Sequence, residues 1–385
     1  MTTFSFPPSE FSEAAAKLRA EVRAFLAQET KAGTFRPRSD FGAQEDASFS
    51  AKMGARGWLG MTWPKKYGGH ERSMLERFVV TEEMLAAGAP CGAHWTADRQ
   101  SGPNILRYGT EEQKLFFCPK IAKGELFFSI GMSEPDSGSD LASVRSKGEK
   151  VEGGWKLNGR KVWTSGAHRN HYAITMVRTT PLDAAHRHEG LSQFLVDLKA
   201  PGVTIRPIRN MAGDYHFNEF ILEDVFVPDS RILGQPGDGW KQVTSELAFE
   251  RSGPERFMST MSLFKSYVGR AGNKPDDRVA ETTGRNMAHL LTLRAMAISV
   301  AGMLDEGQMP NTEAAIVKDL GNAYERQMPE ALRLTQGRSL PGGAAGASLF
   351  EQDLQDAVLN GPSWTLRGGT REILRGMVAR GLGLR

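Results

Sequence analysis

Cysteine is nearly absent from the chain. Cys91 and Cys118 stand alone, with no CxxC pair and no Cys/His cluster, so the spacing of a zinc site and the framework of a disulfide scaffold are both excluded. Charge of one sign is also missing. The 48 Lys+Arg against 45 Asp+Glu leave +3 over 385 residues, which makes no basic footprint for nucleic acid or for a membrane surface. No continuous apolar run approaches the ~20 residues of a membrane span. Residues 1–30 carry Glu10, Glu13, Lys17, Arg19, Glu21 and Arg23 with no apolar stretch of a leader between them, so no targeting signal is expected. The expectation is a soluble, cytoplasmic protein without nucleic-acid, membrane or metal partners. What remains is ordinary for an enzyme: 40% apolar and 24% charged residues, in a chain long enough for two or three domains.

Three textures follow one another. From about Phe11 to Ile121 the pattern is helical, with Leu18, Val22, Phe25 and Leu26 on one stripe. A second helix is predicted over Met74 to Ala87. A third begins near Thr110, with Glu111 and Glu112 in its first turn, where the helix dipole favours negative charge. From Glu125 to Pro236 short segments rich in β-branched and aromatic residues take over: Tyr172–Val177, Ser192–Leu198, Val203–Ile208 and Glu219–Val227. Gly153-Gly154 and Asn158-Gly159 read as hairpin turns between them. After Trp240 the helical period returns, broken at Gly269–Pro275, Gly307–Pro310 and Leu340–Ala347. The predicted fold class is α+β: an α-helical domain over 1–125, an antiparallel β domain over 126–236 and a C-terminal four-helix bundle over 237–385.

Four segments could carry chemistry. Met132–Asp140 combines glycine with Ser133 and Ser139; it is either a solvated loop or a close-approach loop for a bound group. Val162-Trp163-Thr164-Ser165 offers an aromatic face and two hydroxyls to a planar heterocycle, unless Trp163 is simply a core residue on a strand. Glu250 shares a helical face with Val243 and Leu247. A carboxylate there is either paired, with Arg251 or Arg256, or raised in pKa as a general base requires. Gly368-Gly369-Thr370 opens the last helix, as a cap or as an outward-facing set of N–H donors.

Six pieces in register, WLGMTWPKKYGG (58–69), GTEEQK (109–114), IAKGELFFSIGMSEPDSGSD (121–140), GGWKLNGRKVWTSG (153–166), FILEDVFVPDSRILGQPGDGW (220–240) and GGTREILR (368–375), resemble the acyl-CoA dehydrogenase family nearly end to end. The resemblance implies FAD, an acyl-CoA substrate, removal of its α-proton by a base with transfer of the β-hydride to flavin N5, and electrons leaving to an electron-transfer flavoprotein. It places Ile130, Met132, Ser133 and Ser139 beside the flavin and the CoA pyrophosphate. Trp163, Thr164 and Ser165 fall along the flavin, Arg251 falls near the substrate, and Thr370 and Glu372 fall against FAD.

Two departures from the family pattern shape the expectation. The E-G-T position that holds the base in many members is Gly368 here, and Glu250 matches the base position of isovaleryl-CoA and long-chain members. A backbone N–H at Gly368 still serves as oxyanion donor, and the missing side chain leaves room for a branched, long or steroid-type acyl group. The Arg-x-x-Phe-Gly run that reaches a neighbour's FAD is reduced to Arg270 within Gly269–Pro275, and Q-x-x-G-G is approximated by Gln336 and Gly342-Gly343. The assembly implied is a homotetramer or an α2β2 heterotetramer with a related subunit. Two other readings remain open on the same fold: a flavin monooxygenase or nitroalkane oxidase, and a degenerate structural subunit.

Overall fold

The structure is a computed structural model that describes residues 4–39, 44–245, 252–335 and 346–384. The fold is helical at its N-terminal end, a sheet in the middle and helical again toward the C-terminus. Packing gathers these elements into two compact units, one of residues 1–44, 72–90 and 248–385, the other of 45–71 and 91–247. The linear segments 1–125, 126–236 and 237–385 are thus recombined, because the helices Glu13–Lys31 and Met74–Ala86 pack within the unit of the C-terminal helices.

In that helical unit, the stripe read from sequence is the buried face of Glu13–Lys31: Leu18, Val22, Phe25 and Leu26 are all in the core. Burying each of these side chains contributes roughly 1.5–3 kcal/mol. Ser12 caps the helix by accepting from Ala15 N–H, and Ser73 and Glu76 form a reciprocal capping box on Met74–Ala86. The long helices Asp277–Asp305 and Asn311–Thr335 lie together, and Leu349–Trp364 and Arg371–Gly381 pack on the second of them. The break expected at Gly269–Pro275 comes later, since Met261–Ala271 stays helical through Gly269 and ends at Gly272, whose φ is 66°. Asp277–Asp305 is by length and composition long and apolar enough to cross a membrane, with mean hydropathy 1.5 over its most apolar window. Its charged and polar residues break the continuous apolar run expected of a span in the sequence. Half of that window is buried among the neighbouring helices, as in a core helix of a bundle.

The other unit is built on one sheet. Its strands are β1 (Phe128–Gly131), β2 (Lys147–Val151), β3 (Gly154–Lys161), β4 (Tyr172–Arg178), β5 (Leu191–Asp197), β6 (Val203–Ile208), β7 (Phe217–Pro228) and β8 (Ile232–Leu233). They run in the order β6-β7-β3-β2-β4-β5-β8, with β1 added on β4. Four of the strands read from sequence fall within a residue or two of their observed limits. The sheet is mixed rather than wholly antiparallel: β1 runs parallel to β4, and β2 meets β4 in parallel at Lys147 and Arg178. One turn is also reassigned. Gly153, with φ 72°, is in the β2–β3 turn, but Asn158-Gly159 lies inside β3, at a bulge against β7. Gly159 is required there because a Cβ would collide with Ser146 Oγ.

One face of this sheet forms a core with Trp155, Phe194, Phe220 and Val225. Phe128, Ile174 and Leu195 pack instead with Phe117 and Ile121 of the helix Glu111–Ala122. That helix carries its own capping box, Thr110 with Gln113.

Candidate active site

Trp163 stands two residues past the end of β3, and its backbone is left-handed, with φ 60°. For a bulky residue that conformation is costly and persists only when the surroundings enforce it. The indole is not in the core, as a strand tryptophan would be. It is 57% exposed and makes a T-shaped ring contact with Phe217, centroids 6.0 Å apart. Such an arrangement presents an aromatic face outward at a conformational cost.

The next residue is held from two sides. Thr164 N–H donates to the Asn218 carbonyl at 2.9 Å, and Asn218 Nδ2 donates to the Thr164 carbonyl at 2.9 Å. The Thr164 hydroxyl is buried and has no hydrogen-bond partner among the described residues. An orphaned hydroxyl beside an exposed, strained indole is a donor and acceptor that the chain leaves unused. Both features fit a planar, polar-edged cofactor such as a flavin. Ser165 is anchored to β1 through its carbonyl, which accepts from Ser129 Oγ at 2.8 Å. Ser129 Oγ accepts in turn from Asn170 Nδ2 at 2.9 Å.

The loop after β1 belongs to the same unit. Ile130 and Met132 are half-buried against the sheet core. Ser133 is half-buried, and its carbonyl accepts from Val162 N–H at 2.9 Å. Ser139 is exposed. Between them Glu134 is buried and pairs with Lys161 at 2.8 Å. Burial acts to raise the Glu134 carboxyl, but the Lys161 ammonium and N–H groups of Ser146 and Arg145 outweigh it and hold it below the usual range. Burial pulls Lys161 down to about 8 against the pull of Glu134. Ile130, Met132, Ser133, Trp163, Thr164 and Ser165 are thereby joined by neighbouring strands and backbone bonds of one sheet.

The remaining site residues fall in the helical unit. Gly368 and Gly369 both have positive φ, 62° and 101°, which the turn into the last helix demands. Thr370 has the extended backbone of an N-cap but makes no side-chain cap bond, and Glu372 is exposed in the first helical turn. The turn is held by groups that the sequence reading missed. Lys318, fully buried, donates to the Gly368 carbonyl. Arg367 Nη2 donates to Glu325 Oε2 and Ser259 Oγ, each at 3.0 Å. Desolvation raises the buried Glu325 carboxyl, with Arg367 and the Ser259 hydroxyl and N–H acting the other way. A signal was available: Lys318 and Glu325 stand at i and i+7 on an otherwise apolar face with Ala314, Met328 and Leu332.

Arg270 is exposed on Met261–Ala271, its guanidinium 4.9 Å from the centre of the Phe350 ring. Glu250, Arg251, Gln336, Gly342 and Gly343 lie outside the described residues. Neither cysteine competes as a nucleophile, because burial pushes the Cys91 and Cys118 thiols each up to about 12.

Comparison with known proteins accords with this geometry. Residues 12–125 match the family described as acyl-CoA dehydrogenase, N-terminal domain, and 129–225 match acyl-CoA dehydrogenase, middle domain. The chain is 32% identical to acyl-CoA dehydrogenase IpdE1 of Mycolicibacterium smegmatis, over 96% of this chain and 97% of that protein. It is 34% identical to acyl-CoA dehydrogenase FadE34 of Mycobacterium tuberculosis over 85% of its own length, and spans 44% of that longer protein. Among solved structures, the Tcur3481-Tcur3483 steroid ACAD superposes with a TM-score of 0.86 at 29% identity, covering 97% of this chain and 98% of that one. The ChsE4-ChsE5 complex from Mycobacterium tuberculosis gives 0.83 at 29% identity, covering 98% and 99%. The two domain matches and the 32% identity to IpdE1 over nearly all of both proteins show that the chain belongs to the acyl-CoA dehydrogenase family, a family of flavoprotein oxidoreductases, which the outward-facing indole of Trp163 fits.

Proposed function

We propose that the chain binds FAD along Trp163, Thr164 and Ser165 and converts a bulky acyl-CoA, branched, long or steroid-type, to its 2,3-enoyl-CoA. The observation that carries the reading is the exposed, left-handed Trp163 next to the orphaned Thr164 hydroxyl. Bound FAD supplies the hydride acceptor for the β-carbon. The chain supplies the rest: Glu250 takes the α-proton on its carboxylate, and the Gly368 N–H donates to the thioester carbonyl, where the charge collects. Ser133 and Ser139 border FAD and the CoA pyrophosphate on the loop after β1, together with Ile130 and Met132. Arg251 orients the thioester end of the substrate, and Thr370 and Glu372 meet FAD on the last helix. The acyl class rests on Gly368, whose missing side chain opens the site, and on the likeness to a steroid ACAD. An electron-transfer flavoprotein in the cytoplasm takes up the electrons.

The visible spectrum tests this reading. Purified protein should show a flavin band that bleaches anaerobically on adding branched, long-chain or steroid acyl-CoA. A flavin that stays oxidised with every acyl-CoA but is reduced by a separate reductase would turn the reading to a monooxygenase. Protein that neither holds nor takes up flavin would turn it to a structural subunit.

A further inference from the structure

Lys161 closes β3, two residues before Trp163, with no exposed surface at all. Its ammonium donates to Glu134 Oε1 at 2.8 Å and to the Met132 carbonyl at 3.3 Å. The Glu134 carboxylate accepts from two further donors, Ser146 N–H on Oε1 at 2.9 Å and Arg145 N–H on Oε2 at 2.7 Å. Glu134 also exchanges backbone hydrogen bonds with Ser137, at 2.8 and 3.1 Å, which closes the loop on itself. One residue along from Lys161, Val162 N–H donates to the Ser133 carbonyl. Three consecutive loop residues, Met132, Ser133 and Glu134, are thus gripped by two consecutive residues at the end of β3. The next residue is the strained Trp163.

Stability alone does not account for a lysine here. Taking an ammonium and a carboxylate out of water costs several kcal/mol per ion, and an apolar pair of similar volume is often as stable or more so. What an apolar pair cannot do is fix direction. A charge-assisted bond to a carboxylate has a narrow optimum of length and angle, whereas apolar contacts tolerate sliding. The pair therefore sets where the loop stands relative to the strand end.

We propose that Lys161 is a positioning residue, whose buried bond to Glu134 holds the Ser133 loop and Trp163 in the one relative placement that receives the flavin. The inference rests on the FAD site proposed above. It predicts that removing the pair loosens the cofactor without unfolding the protein.

Two variants test it, Lys161→Met and the charge-neutral double variant Lys161→Met with Glu134→Gln. The double variant leaves no unpaired buried charge, so it keeps the fold when the single variant does not. Circular dichroism reads the fold, fluorescence titration with FAD reads affinity, and the shape of the flavin band near 450 nm reads the cofactor's surroundings. A folded double variant should bind FAD at least ten-fold more weakly, with a band shifted toward that of free FAD. A folded double variant with wild-type affinity and wild-type band shape overturns the proposal, and so does failure of both variants to fold, which would make the pair purely structural. The cofactor reading fails separately: wild-type protein that takes up no FAD removes it, whereas wild-type binding matched by the variant removes only the role of Lys161.

Discussion

Asn218 grips Thr164 by both of its peptide groups, accepting from its N–H and donating to its carbonyl, each at 2.9 Å. Asn218 is itself fully buried, and its Oδ1 lies 2.9 Å from His168 Nδ1. Both backbone groups of Thr164 are thus satisfied, while its hydroxyl is buried and has no partner among the described residues. Leaving such a group unmet costs about 1–3 kcal/mol. Thr164→Val keeps the shape and removes the unpaired oxygen. FAD-free protein should therefore gain about 1 kcal/mol in thermal or urea unfolding while FAD affinity falls. Unchanged FAD affinity together with unchanged stability would show that the hydroxyl does not serve the cofactor.

Glu250→Gln isolates the base. The amide keeps the size of the side chain and cannot accept the α-proton, so turnover should fall by at least the ~10²–10⁴ that a general base contributes. Bound FAD per subunit should stay at the wild-type level. Near-normal dehydrogenation by the variant, followed with an electron-accepting dye, would make Glu250 structural. The companion change Gly368→Glu in the Glu250→Gln background should restore activity toward straight-chain acyl-CoA only, since the new side chain fills the space that a branched acyl group needs.

Local chemistry made much of this fold legible. Strand limits followed β-branched runs, and Gly153 marked its turn because a left-handed φ there suits glycine. Asn158-Gly159 misled for an instructive reason: the same dipeptide that suits a turn also suits a bulge, and the choice fell to Ser146, a residue 13 positions away that needs the space. β1 went unread because four residues are too few for a period, and its pairing with β4 depends on 40 residues of intervening chain. In the candidate site, the residues that face outward were legible as motifs. Asn218 and Lys161, which hold them, were not, because buried polar groups find their partners only in three dimensions; Lys318 showed only as a charged residue on an apolar helix face.

Arg367 should prove essential to the turn before the last helix. Glu325 has no exposed surface; Arg367 pairs with it at 3.0 Å, and the buried Arg256 acts on it as a second cation. Removing one partner of a buried pair costs up to about 3–5 kcal/mol, part of which Arg256 and the Ser259 N–H offset here. Arg367→Leu should lower unfolding stability by that order. Adding Glu325→Gln should recover a large part of it, because the orphaned charge is then gone. Equal stability of the single and double variants in urea melts would show that the pair contributes through packing alone.

Assembly follows from Arg270. Family members are expected to send an arginine from an Arg-x-x-Phe-Gly run to a neighbour's FAD, yet Asn273 stands three residues after Arg270, where the aromatic would be, and Arg270 lies over Phe350 of its own unit. Solved structures similar to this chain include the Tcur3481-Tcur3483 steroid ACAD and one titled as the ChsE4-ChsE5 complex. The expected outcome is an α2β2 tetramer with a related subunit, holding fewer than four FAD. Light scattering and flavin-to-protein ratio on the chain expressed alone check this. A soluble homotetramer, active with one FAD per subunit, would sink it.

His94 should make the sheet-containing unit sensitive to acid. The ring is buried, and its Nδ1 lies 2.8 Å from Ser50 Oγ. Ser50 donates its own proton to the Asp46 carbonyl at 2.9 Å, so it accepts from a neutral ring protonated on Nδ1. Burial pulls His94 from 6.5 down to about 4, with the Asp98 charge acting the other way. Between those two pH values the unfolded chain binds a proton that the folded chain refuses, so stability rises with pH across that window. Falling from pH 6.5 to 4 should therefore remove roughly 3 kcal/mol through this one group. His94→Gln retains a donor toward Ser50 but does not titrate, and its stability should decline less over the same range. Parallel pH–stability curves for the two proteins between pH 4 and 6.5 would show that His94 is already protonated in the native fold.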